Sequence, residues 1–258
     1  MSETSCKPPA SMIGRVSTIL GTFTPERPVM TGGEIARLTH LSRATVARIL
    51  KELVTQDLVE RVDDGYCIGI RCFELGQLAQ RPRDIRRLAR ASMLDLRQAT
   101  GLTVQLVVLE GKEVVYVEIL QGSRPDLAIP SRVGGRLPCY ATAGGKAVLA
   151  HSSASLQESV LNGQLIQCGP QTITDPAMLR AELLRIQHSK IAYELNESSE
   201  GLACVASPIL RSDGTPLAAI SLTSHAGTVD MRSIGPAVLA ATLGLSRVVG
   251  SASRSLRI

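Results

Sequence analysis

Aromatic side chains are almost missing from this 258-residue chain, which has no Trp, two Phe and four Tyr. Proteins that grip single-stranded nucleic acid stack bases on such rings, so the shortage argues against that class. Long apolar runs are also missing. The best, residues 234–246, stops at Arg247, short of the ~18 residues a membrane span needs. The first ten residues are polar and do not read as a secretory leader, so the chain is expected in the cytoplasm and away from membranes. Six cysteines stand at 6, 67, 72, 139, 168 and 204 without a CxxC pair, and the four His at 40, 151, 188 and 225 are isolated. That spacing suits neither a zinc site nor a disulfide framework, and no metal or cofactor is expected. What is present is a hydrophobic fraction of 44%, enough to fill a core. The length suits one large domain or two smaller ones.

The net charge of +5 is unevenly spread. Residues 1–80 hold nine basic and nine acidic side chains, residues 81–100 hold six Arg against two Asp, and residues 101–258 hold thirteen against twelve. Within the first block, Arg37, Arg43, Arg48 and Lys51 follow one another with no acid between. Basicity confined to short segments points to particular surfaces, not to a general polyanion glue.

Ser11 is placed to cap a first helix whose apolar positions are Met12, Val16, Ile19, Leu20 and Phe23. Thr31 and Glu34 have the spacing of a capping box and open a second, short helix. A tight connection at His40 and Leu41 leads to Ser42, the N-cap of a third helix. There Val46, Ile49, Leu50 and Leu53 form an inward stripe, while Ala44, Ala47, Arg48 and Lys51 share the opposite side, flanked by Arg43 and Thr45. Small residues let such a helix approach a surface closely, and Arg can fork onto guanine O6 and N7 in a major groove. Ser42 and the helix N-terminus can also face a phosphate. The period then becomes extended over residues 58–62 and 66–70, with a turn at Asp63, Asp64 and Gly65. Three short helices and a hairpin, in this order, form a winged helix-turn-helix over residues 11–71.

Residues 72–100 read as a helical linker, interrupted at Pro82 and stopped at Gly101. Its Arg83, Arg86, Arg87, Arg90 and Arg97 suit phosphate contact and a merely solvated helix equally well. Residues 101–258 read as a second domain. A hairpin of residues 103–109 and 114–119 leads to helices near 145–151, 156–161 and from Pro176. Strands at 203–210 and 216–224 precede a last helix over 231–250. Hairpin-connected strands mixed with helices give an α+β domain with an antiparallel sheet. The run Arg136 to Lys146 fails as a P-loop, because Tyr140 stands where the first Gly belongs and Ala147 where Ser or Thr belongs. No G-x-S-x-G occurs, and catalysis is not expected.

Three stretches carry a family resemblance. They are residues 34–69, from Glu34 through Leu41 to Leu50 and the hairpin, then Leu137-Pro-Cys-Tyr-Ala-Thr-Ala-Gly-Gly-Lys-Ala147, then residues 193–209 from Tyr193 to Ile209. In these the chain resembles the isocitrate-lyase-regulator (IclR) family of bacterial transcription factors. The resemblance implies a winged helix joined by a helical linker to a GAF-like effector-binding domain, assembled as a homodimer or a dimer of dimers. It also implies a small, often carboxylate-bearing effector. By the same resemblance the effector loop is Ala141, Thr142, Ala143 and Gly144, whose backbone NH groups can hold an oxyanion. The acidic family position falls on Glu194, and Cys204, Ser221 and Thr223 complete the set. Ser221 and Thr223 share a sheet face by their period of two. Cys139 and Tyr140 stand where many members carry Leu and His, and Glu194 where Asp is frequent.

The resulting expectation is a ligand-responsive regulator that binds duplex operator DNA through Ser42, Arg43, Ala44, Thr45, Ala47, Arg48 and Lys51. Two other readings remain open at this point: a metabolite-sensing module whose winged helix binds protein, and a small-molecule enzyme.

Overall fold

The computed structural model describes residues 11–123, 129 and 131–252. Cys6 and the polar first ten residues lie outside them. The chain divides into two compact units, residues 1–80 and 81–258.

In the first unit, α1 (Met12–Leu20) starts at Ser11, whose hydroxyl accepts from the Gly14 NH at 3.0 Å. It ends at Leu20, three residues before Phe23, because the Gly21 NH caps the last turn. The capping box opens α2 (Gly32–Thr39): the Glu34 NH donates to Thr31 Oγ1 at 3.2 Å and the Thr31 NH to Glu34 Oε2 at 2.8 Å. His40 then takes a left-handed conformation, φ 53°, which turns the chain within one residue. Ser42 caps α3 (Arg43–Thr55) by accepting from the Thr45 NH at 3.2 Å. Val46, Ile49, Leu50 and Leu53 are buried against Ile19 and Ile35.

The wing is β1 (Val59–Val62) against β2 (Gly65–Ile68). Its turn is shorter than the sequence implies, for Gly65 pairs with Val62 and leaves only Asp63 and Asp64 outside the ladder. Met30 makes two backbone hydrogen bonds with Tyr66, so a third segment flanks the wing. A Cβ on Gly65, at φ 151°, would fall 2.5 Å from the Met30 carbonyl oxygen, which is why glycine stands there. The second strand also ends early. Gly69 passes so close to Asp57 that no side chain fits, and Ile70 belongs to α4 (Ile70–Gln77).

The second unit begins with α5 (Gln80–Thr100). Pro82 does not interrupt a helix here. It lies in the first turn of α5, where its missing NH has no intrahelical partner to lose, and the break falls at Leu78 and Ala79. Gly101, at φ 68°, ends the helix. Six antiparallel strands follow in the order β5-β4-β3-β8-β7-β6: β3 (Thr103–Glu110), β4 (Glu113–Leu120), β5 (Arg136–Pro138), β6 (Ala192–Leu195), β7 (Leu202–Leu210) and β8 (Pro216–His225). The edge strands β5 and β6 are additions to the sequence reading. Three and four residues are too few to show a period.

One sheet face packs Val104, Leu106, Val205, Ile220 and Leu222 against Ile85, Ala89 and Met93 of α5 and Val238 and Leu245 of α9 (Met231–Ala252). The other packs Val107, Ala206 and Ala219 against α6 (Ala143–Leu149) and α8 (Pro176–Ser189), with α7 (Ala154–Leu161) alongside. By length and hydropathy alone α9 passes as a membrane span, contrary to the sequence expectation, but its Val238 and Leu245 are core residues of this unit.

A bulge interrupts the β3–β4 ladder. Leu106 pairs with Glu118 and Val107 with Tyr116, which leaves Val117 without an opposite residue. Tyr116 therefore joins the α6 side while Glu118 bonds α5 on the other, where Arg86 Nε donates to it at 2.6 Å and Arg90 at 3.3 Å. Arg97 donates to the Gln121 carbonyl at 2.5 Å. Arg87 stands 3.9 Å from Asp84 Oδ1, so four of the five linker arginines are held by their own unit.

Candidate functional site

On α3, Ser42, Arg43, Ala44, Ala47, Arg48 and Lys51 are all exposed and Thr45 is half-buried. The same helix buries its apolar stripe, so tertiary packing fixes which side faces outward. Ser42 Oγ and Thr45 Oγ1 are hydrogen-bonded at 2.8 Å, which draws both hydroxyls into the cap. The Arg and Lys side chains carry no ion pair with described residues, and the exposed Glu52 beside Arg48 is the acid nearest to them along the helix.

In the second unit the α6 side of the sheet carries a polar floor. Register aligns Glu194, Cys204, Thr223 and Thr103 across four strands, and Ala206, Ser221 and Gln105 in the next row. Ser221 Oγ and Thr223 Oγ1 donate to Gln105 Oε1 at 3.1 and 3.3 Å. Gln105 Nε2 donates to Ser131 Oγ at 2.7 Å, and Cys204 Sγ lies 3.3 Å from Thr223 Oγ1. Complete burial and the nearby Glu194 carboxylate hold the Cys204 thiol well above its usual range, so it is a neutral wall and not a nucleophile.

These residues line one cavity together with Thr142, Ala143, Gly144, Glu194, Ser198 and Tyr116. The cavity is narrow, with roughly room for one water between its walls. Seven of the eight residues expected around an effector are in its wall. Ala141 is not. It lies fully buried in the 3-10 turn Cys139–Ala141, packed among apolar side chains. Cys139 and Tyr140 also stay out of the wall, and the Tyr140 hydroxyl instead ties down Ile166 by donating to its carbonyl and accepting from its NH.

The loop ahead of α6 differs from the sequence reading in one further respect. Its Ala143 NH does not lie free for an oxyanion, because Glu194 Oε2 accepts from it at 3.0 Å. The other carboxylate oxygen of Glu194 accepts from the Ser198 NH at 2.9 Å and from the Ser198 hydroxyl. The anion at this loop is the protein's own. The physical reason is proximity, since the pairing of β6 with β7 sets Glu194 beside the start of α6. Thr142 Oγ1 caps the same turn by accepting from the Gly145 NH at 3.0 Å.

Beneath the loop, Lys146 is fully buried and its Nζ donates to both oxygens of Glu197, at 2.5 and 2.6 Å. Burial pushes the Glu197 carboxyl up to about 7 against the pull of Lys146, with Glu194 and Glu182 adding to the rise. Sequence reasoning missed Gln105, Tyr116, Ser131 and Ser198. Gln105 did leave a trace, as a polar residue inside an otherwise apolar strand.

Both units resemble known proteins. Residues 13–63 match the IclR helix-turn-helix domain and residues 77–247 match the bacterial transcriptional regulator IclR C-terminal domain. The HTH-type transcriptional regulator XynR of Escherichia coli is 29% identical over 92% of this chain and 96% of its own. KdgR of the same organism is 30% identical over 74% of this chain and 73% of its own. The crystal structure of an IclR homologue from Microbacterium hydrocarbonoxydans, complexed with 4-hydroxybenzoate, superposes with a TM-score of 0.83 at 30% identity and covers 93% of this chain and 99% of that one. A helix-turn-helix unit, an α+β unit with a polar cavity on its antiparallel sheet, and family matches to both place this chain in the IclR family of bacterial transcriptional regulators, with a DNA-binding helix-turn-helix ahead of an effector-binding domain.

Proposed function

We propose that this regulator reads duplex operator DNA with α3 and a small carboxylate with the cavity on the α6 side of its sheet. In this reading residues 11–71 form the DNA-binding domain, 72–100 the linker and 101–258 the effector and oligomerisation domain, working in the cytoplasm without catalysis. On α3, Arg43, Arg48 and Lys51 contact bases and phosphates, Ala44 and Ala47 allow close approach, and Ser42 and Thr45 hold the helix start in shape. A homodimer or dimer of dimers is part of this reading, and the exposed apolar side chains of Ile70, Phe73 and Leu75 on α4, which buries no residue of its own, support it.

One observation carries the effector reading: Ser221 and Thr223 send both hydroxyls to a single acceptor, Gln105 Oε1, inside a cavity. A carboxylate oxygen of an effector takes the place of that acceptor and receives two charge-assisted hydrogen bonds. The relative that binds 4-hydroxybenzoate supports a carboxylate. The cavity is narrow, and in this reading seating an organic acid on these hydroxyls is tied to a change of shape. A coupling of roughly 1–3 kcal/mol between that change and the DNA-bound form shifts operator affinity about 5- to 150-fold.

The test is a thermal-shift screen against small carboxylates on the parent and on Ser221→Ala with Thr223→Val. The double variant is expected to lose the ligand-induced shift and to keep operator affinity in the absence of ligand. An unchanged shift would move the site elsewhere.

A further inference from the structure

Within the cavity almost every polar side chain is already spoken for. Ser221 and Thr223 both donate to Gln105, and Gln105 donates to Ser131. Glu194 is satisfied by Ala143 and Ser198, Thr142 by Gly145, and Cys204 contacts Thr223. Tyr116 is the exception. It is 5% exposed and lines the cavity, yet its hydroxyl makes no hydrogen bond with a described residue.

The hydroxyl is left facing the cavity: among the described residues the buried side-chain polar atom without a partner is His151 Nε2, so the Tyr116 oxygen is not sealed from that space. A Phe at 116 would fill the same apolar neighbourhood of Val107 and Val114 and offer the cavity no hydrogen-bonding group. The β-bulge that turns Tyr116 toward α6 spends ladder pairing to put this side chain in the wall. A polar group placed at such expense and left open toward a cavity is placed for what enters the cavity.

We infer that the Tyr116 hydroxyl is a specificity contact of the effector pocket, selecting carboxylates that carry a second hydrogen-bonding oxygen, a hydroxyl or oxo group, over their deoxy counterparts. The inference rests on the carboxylate reading of this site. Burial and the nearby Cys204 and Glu194 keep the phenol protonated at any working pH, so it meets the ligand as a neutral hydroxyl able both to donate and to accept. Its partner therefore need not be charged. The acid end is met by Ser221 and Thr223, two strands away from the β4 position of Tyr116. A ligand with one oxygen function satisfies one group or the other, and a ligand with two satisfies both.

Isothermal titration with matched pairs tests this: 4-hydroxybenzoate against benzoate, 4-hydroxybutyrate against butyrate, and lactate against propionate. At least one oxygenated member is expected to bind the parent about tenfold or more tightly than its deoxy partner, the equivalent of about 1.4 kcal/mol. In Tyr116→Phe that ratio falls to near one. The unliganded variant unfolds at about the same temperature as the parent, since the hydroxyl makes no hydrogen bond with a described residue. A ratio that survives in Tyr116→Phe, a parent ratio near one in every pair that binds, or a clearly lowered melting temperature overturns the assignment to Tyr116 and leaves the carboxylate reading standing. Binding by no member of any pair overturns both.

Discussion

Two helices in this chain begin alike and end in opposite circumstances. Ser42 opens α3 and Thr142 opens α6, each with a hydroxyl accepting from the backbone NH three residues on. At α3 the next residues, Arg43 and Ala44, are exposed. At α6 the whole helix is buried and a carboxylate from another strand already accepts from the Ala143 NH. One local signal thus serves an outward-facing recognition element and an internally neutralised one. The cap determines where a helix starts. Its surroundings determine whether that start is offered to a ligand.

The sharpest way to break this comparison is to remove the charge under α6. Lys146→Met leaves Glu197 buried without its cation and is expected to cost about 3–5 kcal/mol, read by denaturant unfolding. The same pair sets a pH dependence. The Glu197 carboxyl is raised to about 7 from 4.5, so its contribution to stability is present below pH 4.5, is lost as pH rises toward 7, and changes little above that. Glu197→Gln is expected to remove this slope, which unfolding midpoints between pH 5 and 8 will measure.

On α3 the outcome is reversed. Arg43→Ala and Arg48→Ala are each expected to lose roughly 1–3 kcal/mol of operator affinity at fixed salt. Their melting temperature should not move, because both side chains are exposed. Parent-like binding by both variants would show that this face does not read DNA. Loss of binding with a smaller salt slope would count those phosphate contacts. The smallest effects come from the caps. Ser42→Ala and Thr142→Ala should each destabilise their unit by about 1 kcal/mol, and only Ser42→Ala should also weaken DNA binding.

The two regions also differ in how much of each was legible in the sequence. The winged helix is built from neighbours. Thr31 with Glu34, Ser42 with Thr45, and the stripe from Val46 to Leu53 each lie within eight residues, so their period and spacing describe them fully. The cavity is assembled from all six strands of the sheet, the start of α6 and the loops between them, and Glu194 and Ala143 meet across 51 residues. There the family resemblance placed the named positions near one another. It did not reveal that Glu194 fills the anion position at Ala143, nor that Gln105 gathers the two hydroxyls. Tyr116 was hidden for a further reason. A period of two assigns it the same face as Glu118, and the bulge that separates them leaves no mark in the residue types.

That bulge gives β4 two jobs. Tyr116 is part of the cavity wall, and Glu118 is the brace to which Arg86 and Arg90 fasten α5. Wall and brace are separated by two peptide bonds of one strand. Under the proposed function, a ligand that moves this wall acts within two peptide bonds of the residue that moors α5.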